Sequence, residues 1–210
     1  MTAAALATIG RGFERPAQAA QQTFRGVLDA MTRPGRVQRI AASALAGVEG
    51  PGIGVGMCAV LLTLLDGECS VHVDAALPHA ALSPYLRFHT GVRFGTARSG
   101  SDFVVVAAPS TRASLWTELR NGSDESPQHG ATLIVEVPEL NAASVSALRL
   151  HLRGPGIENV QTLSVGGPGV AFWRARMAME AEFPRGIDLL LCCADRIAAV
   201  PRSTQVEVEG

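Results

Sequence analysis

Apolar and polar positions along the chain switch between helical and strand spacing from segment to segment. Phe24, Val27, Leu28 and Met31 fall at i, i+3, i+4 and i+7, one face of a helix opened by Pro16 and stopped by Arg33-Pro34-Gly35. A short extended stretch follows over residues 36–41. The glycine-rich run 50–56 leads into an apolar helix through Leu65, with Gly67 as its cap. Residues 70–74 alternate as a strand. Residues 77–88 read as a helix broken by Pro84. Three successive valines mark a strand over 102–107, and Ser110 opens a helix to about Arg120. The polar loop 121–130 precedes a second strong strand over 131–137. In 147–152, apolar residues alternate with Arg149 and His151, so one side of that strand faces water or a partner. An amphipathic helix with Phe172 and Trp173 is expected over 170–181.

The most informative stretch is 183–204. Two apolar runs, 187–193 and 197–200, flank the polar turn Ala194-Asp195-Arg196 and predict a β-hairpin buried on both faces. Entry and exit of an antiparallel hairpin lie at the same end. Arg185, Asp188, Arg202, Ser203 and Thr204 should therefore gather at one sheet edge, as candidates for binding an anion or a partner. Arg87 and His89 form a second cationic candidate beside Gly91. Early helix–strand alternation and late strand pairs predict a three-layer α/β/α sandwich around a mixed sheet. No composition shift divides the chain, so a single domain over 14–210 with a flexible tail over 1–13 is expected.

The chemistry available is narrow. All 18 basic residues are arginine. Without lysine, no Schiff base can form and no Walker lysine can reach a nucleotide phosphate. A net charge of −1 and 5% aromatic residues argue against nucleic acid. The longest hydrophobic run, 189–194, is too short to span a bilayer. Cys58, Cys69, Cys192 and Cys193 match no zinc spacing, which suggests free thiols in a reducing cytoplasm. The five histidines include no pair with metalloprotease spacing, and no G-x-S-x-G elbow occurs. The Gly52-x-Gly54-x-Gly56 run could cradle phosphate, but its spacing is not the dinucleotide pattern. No metal site and no catalytic set is expected.

Six segments, in order, carry a resemblance: FRGVLDAMTRPG (24–35), LLTLLDGE (61–68), LRFHTG (86–91), GATLIVEV (130–137), LRLHLRGPGI (148–157) and FPRGIDLLL with IAAVPRSTQVEV from 183 onward. Together they resemble the PhnH family of the carbon–phosphorus lyase system over roughly residues 14–210. The resemblance implies a cytoplasmic bacterial protein of phosphonate catabolism that works with subunits G, I, J and L and can form a homodimer. With partner subunits, that family is required to move the ribose triphosphate of ATP onto an alkylphosphonate, releasing adenine. It also implies a PLP-dependent transferase-like fold that has lost its cofactor site, hence no cofactor and an accessory subunit. The absent lysine agrees with that implication, because an internal aldimine needs a primary amine. The alternative is a stand-alone enzyme or binding protein for a small anionic phosphonate or nucleotide. In the enzyme version Arg87, His89, Arg185 and Asp188 would converge, with His89 as general base.

Overall fold

Helix α1 (Pro16–Thr32) begins with proline at its first position, where the missing N–H costs nothing. It is followed by β1 (Gln38–Arg39), a one-turn helix α2 (Ala42–Leu45), and α3 (Val55–Leu64). A computed structural model describes residues 9–141 and 147–209 of the chain. Helix α3 is apolar all round and lies in the core, with Gly56 to Leu61 buried. Its end is not a glycine cap: the chain leaves it extended at Leu65, and Gly67 lies beyond. Strand β2 (Ser70–Val73) leads to α4 (His79–Thr90), which Gly91 terminates at φ 72, the left-handed C-terminal conformation. Pro84 sits inside α4 without breaking it, contrary to the expectation from sequence.

Strands β3 (Arg93–Phe94), β4 (Phe103–Ala107) and β5 (Thr132–Glu136) follow. The helix expected from Ser110 is instead 3-10 structure, Ala108–Ser110 and Ala113–Glu118. Next come β6 (Leu148–Arg153), β7 (Gln161–Val165), α5 (Val170–Ala178), β8 (Asp188–Cys193), β9 (Arg196–Val200) and β10 (Gln205–Val208). The predicted hairpin is present, with Cys193 opposite Arg196 and Ala194 at φ 52 in the turn. Strands β7 and β10 were not anticipated.

The main sheet has seven strands in the order β1-β9-β8-β5-β4-β2-β3. Strand β9 runs antiparallel to both neighbours, and the other pairs are parallel. Because side chains alternate across a strand, the central strands feed two cores. Val105, Ile134, Leu190, Cys192, Ile197 and Ala199 point to a layer built from α1, α3 and α4. Val104, Leu133, Leu189, Leu191, Ala198 and Val200 point the other way. The layer on that second face is not helical throughout, as a strict α/β/α sandwich requires. A three-stranded antiparallel sheet, β10-β6-β7, shares it with α5 and the 113–118 turn. Strand β6 makes this possible: Leu150 and Leu152 are buried inward while Arg149, His151 and Arg153 alternate on the outer side. The architecture is α/β with a mixed sheet and a second, smaller sheet.

One apolar face was misassigned. Helix α1 buries Ala19, Thr23, Val27 and Ala30 against α3 and β9, and leaves Phe24 and Leu28 outside. Of the expected tail, residues 1–8 lie outside the described residues. Ile9 and Phe13 pack on the helical core, and Arg11 pairs with Glu49 at 2.7 Å.

Candidate functional site

Open α/β sheets take ligands beyond the carboxyl ends of their strands. Here that edge is closed by the chain's own groups. Glu136, the last residue of β5, accepts a hydrogen bond from the Gly54 N–H at the start of α3. The Gly56 N–H donates to the Ala194 carbonyl at 2.8 Å. A carboxylate at a helix N-terminus meets the unpaired N–H groups and the positive end of the dipole. The glycine-rich run is therefore a close-packing and capping device. A Cβ at Gly54 would lie 2.9 Å from Glu136 Oε1.

Beside it, Asp74 follows β2 and is 6% exposed. It accepts hydrogen bonds from Ser110 Oγ at 2.7 Å, the Ala76 N–H at 2.9 Å and the Arg98 guanidinium, which also pairs with Glu118. Burial pushes the Asp74 carboxyl up, but the Ala76 amide, Ser110 and Arg98 outweigh it and hold the group below its usual range. Arg98 holds Glu118 low as well, chiefly through their hydrogen bond. Each of these carboxylates is thus engaged by the chain's own donors, with Arg98 shared between Asp74 and Glu118.

The residues predicted as a site lie at the opposite edge or on α4, and they fall into two places. Asp188 opens β8 and Arg202 follows β9, so the hairpin does bring them together. Asp188 Oδ1 accepts from the Arg202 N–H at 2.9 Å, and Oδ2 accepts from Nη2 at 2.6 Å. Arg202 Nη1 donates to the Pro127 carbonyl. Arg185 pairs with Asp124 at 3.3 Å and Glu182 at 3.7 Å. Arg120 binds Asp102 and the His129 carbonyl. Three arginines thus pin the 121–130 loop over the sheet edge.

Ser203 and Thr204 line a pocket of about 320 Å³ together with Pro155, Glu180, Phe183, Arg202 and Gln205. Phe183 is 60% exposed and forms an apolar wall. Thr204 is buried, and its hydroxyl has no partner among the described residues.

Arg87 and His89 are elsewhere. Arg87 lies over the Phe94 ring of β3, 5.1 Å from its centroid. His89 Nε2 is 3.0 Å from the Gly10 carbonyl, and its ring centre lies 4.5 Å from that of Tyr85, the two planes tilted by 58°. Strand β3 is four positions from β8 in the sheet, roughly 20 Å at the usual strand spacing. Arg87 and His89 therefore do not converge with Arg185 and Asp188, so the four-residue constellation expected for a stand-alone enzyme is not assembled.

Sequence reasoning missed Arg176. It is 2% exposed in α5, and its Nη2 donates to the carbonyls of Pro201, Arg202 and Thr204 at 3.0, 3.3 and 3.1 Å. Burial pulls this guanidinium below its usual pKa. The signal was present: Phe172, Trp173 and Arg176 lie at i, i+1 and i+4, on one helix face. Arg176 supports the backbone that shapes the pocket. Among the described residues, no group of three or more His, Cys, Asp and Glu could hold a metal, and no helix is long and apolar enough to cross a membrane.

Comparison with known proteins adds the family. The description "Bacterial phosphonate metabolism protein (PhnH)" matches residues 11–207. The chain is 33% identical over 210 residues to a protein of Stutzerimonas stutzeri named as putative C-P lyase subunit protein HtxG, covering 100% of this chain and 96% of that one. It is 32% identical over 201 residues to a Rhizobium meliloti (strain 1021) protein named alpha-D-ribose 1-methylphosphonate 5-triphosphate synthase subunit PhnH, covering 94% of each.

Proposed function

The chain belongs to the PhnH family of bacterial phosphonate metabolism proteins, and on that premise we propose that it is an accessory subunit of a carbon–phosphorus lyase system. In this reading it works in the cytoplasm, as one domain that takes in the packed residues 9–13 as well as the expected 14–210, with subunits G, I, J and L. With subunits G, I and L it enables transfer of ribose triphosphate from ATP to an alkylphosphonate, releasing adenine before subunit J acts, and contributes no catalytic residue of its own. The observation that carries the accessory role is the closed carboxyl edge of the main sheet. Where this class of fold takes substrates, Glu136 caps α3, and Arg98 is held between Asp74 and Glu118. Two features support descent from a PLP-dependent transferase-like fold without its cofactor site: a seven-stranded, mainly parallel sheet, and a chain with no lysine.

The test is co-expression with subunits G, I and J, followed by size exclusion, together with growth on methylphosphonate of a strain that lacks its own PhnH and carries this chain instead. Stoichiometric co-elution and restored growth are expected. A chain that elutes alone and fails to restore growth would overturn the reading. A second reading, a binding protein for a small ligand, is favoured by the pocket beside Ser203 and Thr204. Calorimetric titration of the isolated chain with ATP and methylphosphonate tests it; heat that disappears in Ser203→Tyr would support it over pure assembly.

A further inference from the structure

We propose that the outer face of α1 docks an acidic surface with apolar knobs on another protein chain. The proposal rests on the accessory-subunit reading above and names the surface and the chemistry of what covers it. Helix α1 is built inside out for an isolated protein. Its inward positions are small, Ala19, Thr23, Val27 and Ala30, so the helix sits close to the sheet. A Cβ at Gly26 would lie 3.9 Å from Ile197 Cδ1. Its two largest apolar side chains, Phe24 and Leu28, are 45% and 46% exposed. At i and i+4 they stand side by side and form one patch rather than two scattered residues.

The charge around this patch indicates its occupant. Arg25 lies next to Phe24 and three residues before Leu28, on the same exposed side. Asp29, its only carboxylate neighbour on the helix, is taken by Arg33 at 2.9 Å. Arg15 precedes the helix and Arg36 follows it, and both are exposed. Among the described residues, Arg15, Arg25 and Arg36 form no ion pair, whereas Arg39 pairs with Asp195. Residues 1–41 hold six arginines against two carboxylates, in a chain of net charge −1. A second copy docked face to face would set Arg25 against Arg25, so this face selects an acidic partner rather than itself. Aromatic anchors beside arginine are the residues that dominate protein interfaces, and paired potentials speed and orient their docking.

The experiment uses the full chain with subunits G, I and J. Because Phe24 and Leu28 are about half exposed, the Phe24→Ser/Leu28→Ser variant should stay folded at the assay temperature, with its unfolding midpoint lowered by only a few degrees. It should lose at least tenfold in affinity for the assembled partners and cease to co-elute. Arg25→Glu should weaken binding and flatten its salt dependence. Phe88→Ser, at the exposed Phe88 of α4, should still co-elute. Unchanged affinity of the α1 variants would overturn the proposal, as would loss confined to Phe88→Ser. An isolated chain whose dimer dissociates in Phe24→Ser/Leu28→Ser would overturn it in favour of a second copy. If the wild-type chain itself fails to bind, the accessory-subunit reading falls and this surface falls with it, a result distinguishable from failure of the α1 variants alone.

Discussion

Removing one member of the Asp188–Arg202 pair decides whether these residues hold the fold or await a ligand. The side chains are 19% and 16% exposed, and the carboxylate accepts four hydrogen bonds from Arg202, between 2.6 and 3.2 Å. Exposed pairs contribute about 0–1 kcal/mol, whereas breaking a buried pair costs about 3–5 kcal/mol. At this intermediate burial, Asp188→Ala should cost about 2–3 kcal/mol, because Arg202 keeps only the Pro127 carbonyl. For a chain of this size that lowers the melting temperature by roughly 4–12 °C. Arg202→Ala should cost as much or more, since it also releases the loop at Pro127. The double variant should cost less than the sum of the singles, leaving a coupling of about 1–2 kcal/mol. Urea unfolding of the four proteins at pH 7, with unchanged m-values, measures it. A coupling below about 0.5 kcal/mol would refute the structural assignment and free Arg202 for a ligand.

Four further outcomes are expected. Glu136→Ala should destabilise the protein by about 1–2 kcal/mol, because it uncaps α3; denaturant unfolding reads this. Asp74 and Asp102 have depressed pKa values in the folded state, because hydrogen bonds and arginine outweigh burial. Their stabilisation is complete above the unfolded value near pH 4 and is lost as pH falls through the lower folded values. The melting temperature should therefore stay flat from pH 7 to about 5 and fall below about 4, more shallowly in Asp74→Asn. Burial pushes the Cys58 thiol up to about 11 and raises Cys192 as well, so a disulfide-exchange reagent should reach Cys69 and Cys193 first and the other two only on unfolding. Phe172 packs 4.8 Å from Trp116 and 5.2 Å from Trp173, ring centre to ring centre. Phe172→Ala should cost about 3–5 kcal/mol and shift tryptophan emission to the red.

The edge of the hairpin was legible because adjacency along an antiparallel pair is a local property. Residues 188 and 202 must meet once 194–196 turns the chain. His89 and Arg185 were not separable in this way, because their distance depends on strand order, which places β2, β4 and β5 between the two groups. Arg98 also escaped notice, since its partners Asp74 and Glu118 lie 24 and 20 residues away, across the carboxyl edge of the sheet.

By itself the sequence determined the helix and strand types of the strongest segments, the last hairpin, the absence of amine chemistry and the family resemblance. These depend on side-chain period, turn residues and composition, all of which are local or additive. The tertiary structure alone decided which face of α1 is covered. Val27 satisfies both the expected and the actual inward face, but Ala19, Thr23 and Ala30 allow the closer approach to α3 and β9, which puts Phe24 and Leu28 in water. It also decided that β6, β7 and β10 form a second sheet where a helix layer was expected. A six-residue alternating strand carries no record of its partner until the chain between them has folded.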